Sequence, residues 1–236
     1  KGLNEVIMKI IDIIMLFSPY GVFALMTSLM VEIPDFSTLG ALGIYGLTVL
    51  LGLFIMVFVF YSSLLMFYAK VNPVNFFKAI APAQLLAFST SSSAATLPVT
   101  MECVTEKVGV DEEVSSFVLP LGATVNMDGT SLYQAVAAIF IAQAMLPVPL
   151  DLQTQLMIVV TATLASIGSA AVPSAGMVML VIVLGQAGIP EAGLALIFAI
   201  DRPLDMCRTV VNVTSDCTIA TIVAKSVGKL KTPENF

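Results

Sequence analysis

The sequence predicts an all-α polytopic membrane protein built on two re-entrant helical hairpins and two crossing helices. Three observations lead there. The chain is 58% hydrophobic and only 11% charged, with a mean hydropathy of +1.00, whereas soluble domains carry about 25% charged residues. The stretches 36–69, 79–101, 129–150 and 152–190 hold no charged residue, and each reaches the ~20 residues that cross a hydrocarbon core. Lysines and acids are also segregated. Lys1, Lys9, Lys70, Lys78, Lys107, Lys225, Lys229 and Lys231 fall near the termini and in two connections, while the remaining connections carry only Glu32, Asp35, Asp151 and Glu191. In such a chain the net charge of −6 says little about partners. Cys103, Cys207 and Cys217 are scattered and read as free thiols rather than a disulfide framework.

Placing every lysine on the cytoplasmic side, as the positive-inside rule asks, orders the elements. Helix 5–31 runs outward and 37–69 returns. Segment 72–107 starts and ends inside, 113–146 runs out, 151–189 starts and ends outside, 191–227 runs in, and 228–236 is a cytoplasmic tail. The chain starts at Lys1 within an amphipathic pattern, without an initiator methionine or signal peptide, and this reads as part of a longer protein.

The two segments that begin and end on one side are both interrupted. One reads TSSSAATLP (Thr90–Pro98) and the other SIGSAAVP (Ser166–Pro173), sharing Ser-Ala-Ala followed closely by Pro. Each break leaves two arms of roughly 12–18 residues, too short to span alone. The plainer alternative, two Pro-kinked spanning helices, would scatter the lysines over both sides. Paired interrupted segments in opposite orientation point to an inverted repeat with a binding site near mid-membrane, where irregular backbone survives only if protein or a water-filled cavity satisfies it.

The first crossing helix contains GATVNMDGT (Gly122–Thr130), in which Asp128 is the only charge between Val114 and Leu150. Two glycines and Asn-Met-Asp disfavour a continuous helix there. An unwound turn frees carbonyls beside Asn126 and Asp128, and a hard cation wants several such oxygens; the alternative is a hydrogen-bonded acid at a kink. The second crossing helix contains DRPLDMCRTVVNVTSD (Asp201–Asp216). At 100° per residue, Asp201, Asp205, Arg208, Asn212 and Asp216 share an arc of about 80°. Three acids against one arginine on that stripe leave negative charge for a cation, which argues against a purely structural ladder of Asp205 and Arg208.

SSSAATLPVT, NMDGT, SIGSAAVPSAG and DMCRTVVNVTSD together resemble the dicarboxylate/amino acid:cation symporter family, the sodium-coupled glutamate and aspartate transporters. The resemblance covers essentially the whole chain, beginning near what resembles the family's fifth helix. It implies a homotrimer in the inner or plasma membrane, in contact with lipid and not with nucleic acid, with its C-terminus cytoplasmic. It also implies a mobile core at 71–227 and, at 1–70, the end of a fixed scaffold plus one core helix. By motif, Arg208 matches the group that takes a substrate side-chain carboxylate, and Asp205 the group that takes its ammonium. Thr130, Asn212, Thr209, Ser92 and Ser93 match polar substrate contacts. The loop Val172–Gly176 would offer backbone groups to the α-carboxylate. The resemblance further implies Na+ held by Gly122, Asn126, Asn212 and Asp216 at one place, by Asn126, Met127 and Asp128 at another, and by Thr124, Ser166, Ile167 and Ser169 at a third.

The family's extra arginine, at the first hairpin tip or in the last helix, is replaced here by Ser91 and Met206, with Arg202 a candidate substitute. A substrate lacking an ammonium would be repelled by Asp205, and one lacking a second carboxylate would leave Arg208 buried and unpaired, so aspartate or glutamate fits both. Proton coupling, and neutral amino acid or dicarboxylate transport within the family, are the alternatives. An ion channel and an intramembrane protease are disfavoured: apart from the Asp/Arg stripe no continuous polar face lines a pore, and the chain has no histidine and no GxSxG motif.

Overall fold

A computed structural model describes residues 36–231, with the side chains of 36–39 left out, together with the isolated helical positions Ile13, Leu16, Tyr20, Phe23, Ala24 and Thr27. The expected helix 5–31 otherwise lies outside the described residues, as do 232–236 of the tail.

Among the described residues the regular structure is helical, apart from an isolated bridge between Val110 and Leu230. Helix α1 (Phe36–Ile55) continues through a π-helical segment (Met56–Tyr61), a short α turn (Ser62–Leu64) and a second π segment (Leu65–Ala69). α2 (Pro73–Thr90) and α3 (Ser93–Glu102, extended by a π segment Cys103–Val108) pack on each other as a hairpin. α4 (Glu112–Val125) and α5 (Asp128–Met145) are two halves of one interrupted crossing. α6 (Leu152–Ile167) and α7 (Ala175–Gln186) form the second hairpin, and α8 (Leu194–Ser226) runs unbroken for 33 residues.

Local chemistry sets the boundaries. Asn72, Ser92, Asp111 and Asp151 each accept a backbone N–H at the start of a helix (α2, α3, α4 and α6), satisfying donors that have no intrahelical partner. α4 stops at Asn126 (φ −96°, ψ 70°) and Met127 (φ −106°, ψ 60°). The hairpin tips share one device: Ser91 (φ 51°) and Ser174 (φ 60°) both take the left-handed conformation, which disfavours non-glycine residues and persists only when the surroundings fix it.

α8 is the spine, packing against α1 through α5, while the second hairpin packs on α5. Two apolar cores sit along it. One joins Tyr45, Val49, Tyr133, Ile141, Ile158, Leu180 and Leu184 to Ile197, Leu204 and Val211 of α8. The other joins Leu65, Phe76, Ile80, Val104 and Leu119 to Val213, Cys217 and Ala220 of α8. The change from one core to the other falls at Asn212, so the seam between them crosses the polar stripe of α8.

The outside of the bundle is apolar. Gly40–Ala69 is long and apolar enough to cross a membrane, and in its most apolar window only 28% of residues are buried. Leu47, Leu51, Phe54, Phe58 and Phe67 are each more than half exposed, a greasy surface fit for lipid rather than water. Lysine-bearing connections converge at one end: Asp111 N–H donates to the Lys229 carbonyl (3.0 Å), Lys231 N–H to the Gly109 carbonyl (2.8 Å), and the Lys229 ammonium pairs with Glu113. That pairing, led by the hydrogen bond, holds the Lys229 pKa above its ordinary value.

This arrangement predicts a labelling pattern. In a cysteine-free background, a membrane-impermeant thiol reagent should reach cysteines at Lys78 and Lys107 from one face and cysteines at Asp151 and Glu191 from the other. All four positions are exposed; labelling of all four from one face would exclude the two-hairpin topology.

Candidate functional site

The seam contains a cleft. Its walls come from both hairpin tips (Ser91, Ser93, Ser169 to Val172, Gly176), the α4–α5 break (Met127, Thr130) and α8 (Asp205, Arg208, Thr209, Asn212). Its free volume is about 20 Å³, about the room one water needs. The two tips close it: Ser92 Oγ donates to the Ala171 carbonyl at 2.7 Å, and the Ser174 N–H donates to Asp205 Oδ2 at 2.8 Å.

The charge at its floor is concentrated. Arg208 is 2% exposed. Its Nη2 donates to Asp205 Oδ1 at 2.5 Å, its Nη1 lies 3.8 Å from Asp201 Oδ1, and its guanidinium stacks 4.2 Å from the centre of the Tyr133 ring. Nη1 has no hydrogen-bond partner in this arrangement. Arg202 Nη1 stands 3.5 Å from Asp205 Oδ2, so the candidate substitute for the family's missing arginine reaches the same carboxylate. Asp205 thus receives two arginines and one helix-start amide, a favourable place for negative charge. Gly176 permits this closeness: a Cβ there would come within 3.1 Å of the Arg208 Nη1 and 3.0 Å of Thr130.

Of the residues expected to touch a substrate, Arg208, Asp205, Thr130, Asn212, Thr209, Ser93, Val172 and Gly176 all border the cleft. Ser92 does not. Its hydroxyl is spent on Ala171 and on accepting the Ala95 N–H at 3.1 Å, which makes it a tie between the tips.

The expected cation residues fall into three groups. Gly122, Asn126 and Asp216 are together: Asn126 Nδ2 donates to Asp216 Oδ1 at 2.9 Å, and a side chain on Gly122 would collide with the Asp216 carboxylate. Asn212 accepts the Gly129 N–H at 2.8 Å and donates to Thr130 at 3.1 Å, tying α8 to the start of α5. Asp128 receives two donors on one oxygen, Tyr61 at 2.9 Å and Ser215 at 2.7 Å, while Met127 is buried in the break. In the third group the hydroxyls of Thr124 and Ser166 each bond their own helix, at Leu121 and Thr163, and Ile167 is 44% exposed; Ser169 is buried beside the cleft.

The donor set suits a small hard cation. The break at Asn126–Met127 leaves carbonyls at the end of α4 without intrahelical partners, and the Asp216 carboxylate packs directly against Gly122 beside Asn126, so oxygens of the kind a hard cation takes are gathered there. No cluster of three Cys, Asp or Glu side chains occurs among the described residues, so a site here would rest on carbonyls with one acid rather than on a transition-metal ligand set.

Tyr61, Tyr133 and Ser215 are not among the expected site residues, and Asp201 is placed on the α8 stripe without a binding role. Ser215 carries a weak signal, since it falls about 40° from Asp201, some 20° outside the arc of the stripe. Tyr61 also carries a weak one: it shares the every-fourth-residue line of Tyr45, Val49, Leu53, Val57, Leu65 and Ala69, all buried, but a segment apolar on every side does not show in sequence which line faces inward.

The family model for the sodium:dicarboxylate symporter family matches residues 1–226. The chain is 45% identical over 222 residues to excitatory amino acid transporter 2 of Homo sapiens, covering 94% of this chain and 38% of that protein. It is 46% identical over 225 residues to excitatory amino acid transporter 3 of Oryctolagus cuniculus, covering 95% and 43%. It is 45% identical over 222 residues to an excitatory amino acid transporter of Caenorhabditis elegans, covering 94% and 44%. The chain therefore spans about two fifths of the length of these relatives.

The tip contacts generate a prediction. Ser92→Ala removes one cap and one tie between hairpins, each worth about 1 kcal/mol. It should lower the melting temperature and speed thiol labelling of a cysteine placed at Val172. Unchanged labelling would mean that the second tip is held by other contacts.

Proposed function

Starting from a chain that belongs to the sodium:dicarboxylate symporter family, we propose that it forms the substrate- and cation-binding part of a sodium-driven symporter of acidic amino acids, aspartate or glutamate. The protein is a transporter and not an enzyme. It works as a homotrimer in the inner or plasma membrane with its C-terminus cytoplasmic, and its core 71–227 moves as a unit in elevator-type alternating access. The observation that carries this reading is the buried pair of Arg208 and Asp205 in a cleft closed by two hairpin tips.

The chemistry follows from that pair. In the closed cleft one carboxylate, Asp205, engages both the Arg208 guanidinium and the Ser174 amide. These two groups are what the two carboxylates of an acidic amino acid need. A substrate ammonium draws Asp205 to itself and frees Arg208 for the side-chain carboxylate and the tip amides for the α-carboxylate. Each charge then exchanges one partner for another instead of losing it, which matters because an uncompensated buried charge costs about 3–5 kcal/mol. With about 20 Å³ free, substrate enters only if the second tip lifts. Sodium supplies positive charge beside Asp216 and Asp128, and Gly122, Asn126, Asn212 and Asp216 would hold one such ion.

The decisive experiment is uptake of radiolabelled aspartate, glutamate, serine and succinate by the full-length protein in proteoliposomes, with sodium and proton gradients imposed separately. Aspartate or glutamate uptake that follows the sodium gradient supports the reading; uptake that follows only protons, or only succinate, overturns it. Arg208→Cys should weaken acidic substrates by roughly 100-fold or more while sparing serine. Asp205→Ser should abolish amino acid binding. Equal losses of serine and aspartate in a folded Arg208→Cys protein would make Arg208 a structural partner.

Asp216→Asn keeps the shape of the side chain and removes its charge. The sodium concentration for half-maximal aspartate binding should rise, because a hard cation loses its formal counter-charge in a low-dielectric place. An unchanged sodium dependence would return Asp216 to a structural role.

A further inference from the structure

Tyr61 lies on the buried face of a helix whose other faces are turned outward, in line with Tyr45, Val49, Leu53, Val57, Leu65 and Ala69. Its neighbours Phe58, Val59 and Phe60 are 54%, 56% and 52% exposed, while Tyr61 is 1% exposed. It closes the π segment Met56–Tyr61, a rare helical form that gathers at functional sites. A phenylalanine would supply the same apolar packing. The hydroxyl is what sets tyrosine apart, and it donates to Asp128 Oδ2 at 2.9 Å.

Ser215 donates to the same oxygen at 2.7 Å and accepts from Asn126 Nδ2 at 2.8 Å; Asn126 Nδ2 also donates to Asp216 Oδ1 at 2.9 Å. A continuous polar chain therefore runs Tyr61–Asp128–Ser215–Asn126–Asp216. It links α1, the α4–α5 break and α8, and it joins two of the proposed cation positions. Two donors on Oδ2 fix the rotation of the Asp128 carboxylate and leave Oδ1 outside that pair. This is how partners of a cation-binding carboxylate orient it, and their loss costs about 10–100-fold in affinity.

We propose that Tyr61 is a positioning residue for the coupling cation, holding the Asp128 carboxylate from α1 so that its charge is presented in one orientation. This rests on the reading of Asp128 as a cation ligand. Tyr61 itself touches neither ion nor substrate.

The test uses Tyr61→Phe in the full-length protein in detergent, with Asp128→Asn beside it. Sodium is titrated without any amino acid, following the rise in melting temperature, and then against aspartate binding. In Tyr61→Phe the sodium midpoint of both titrations should rise about tenfold, while aspartate affinity at saturating sodium stays within about twofold. A purely structural hydrogen bond would lower the melting temperature and leave the sodium midpoint where it was, and that result overturns the proposal. If Asp128→Asn shifts the midpoint and Tyr61→Phe does not, the inference about Tyr61 fails and the cation reading stands. If neither variant shifts it, both fail together.

Discussion

An arginine that is 2% exposed, set between Asp201 and Asp205 beneath the face of Tyr133, constrains everything built around it. Burying such charges is expensive, and attraction offsets the loss of water only when geometry and extra hydrogen bonds are supplied together. α8 therefore needs polar neighbours along its whole stripe. It obtains them from a start-of-helix amide at Ser174, the hydroxyl of Thr130 and the amide side chain of Asn126. The close approach of α5 and α7 to this stripe depends on Gly129 and Gly176, where a side chain would strike the Arg208 carbonyl or its guanidinium.

The division into two apolar cores follows from the same constraint. A polar seam cannot run through a single close-packed core without leaving groups unsatisfied. The chain instead packs aliphatic and aromatic side chains at each end of α8 and interrupts its other elements where they meet the seam. The interruptions at Ser91–Ser92, Asn126–Met127 and Gly168–Ser174 expose backbone groups where charged side chains and bound species can use them. The tips are held by the Ser92 hydroxyl on the Ala171 carbonyl and by the Ser174 N–H on Asp205, which is also the partner of Arg208.

The residues that line the cleft belong to the four short motifs, while Tyr61, Tyr133, Asp201 and Gly122 support them from outside those motifs; the exposed faces of α1 and α6 are apolar with no special pattern. A surface in contact with lipid has only to be greasy and of the right length, so it needs no particular order of residues. Residues at the seam must satisfy one another's charges and hydrogen bonds.

The sequence by itself determined the membrane class, the order of the helices, the positions of the breaks and the stripe of α8, because uncharged length, turn chemistry and helical periodicity are local properties. Arg208, Asp205, Asn126, Asp128 and Asp216 stood out because ionisable or amide groups are costly in hydrocarbon, and the two Ser-Ala-Ala segments and Asn-Met-Asp marked the breaks, although in the first hairpin the break falls at Ser91–Ser92 and Ser93 to Pro98 continue inside α3. Only the tertiary structure decided which donor meets which acceptor. Ser92 turned out to bind Ala171 instead of bordering the cleft, Tyr61 reached Asp128 across 67 residues, and Asp205 held the second tip through Ser174. None of these contacts is written in spacing: each depends on how helices distant in sequence are rotated and set against one another, and a left-handed serine at a tip turns the chain without leaving a periodic trace.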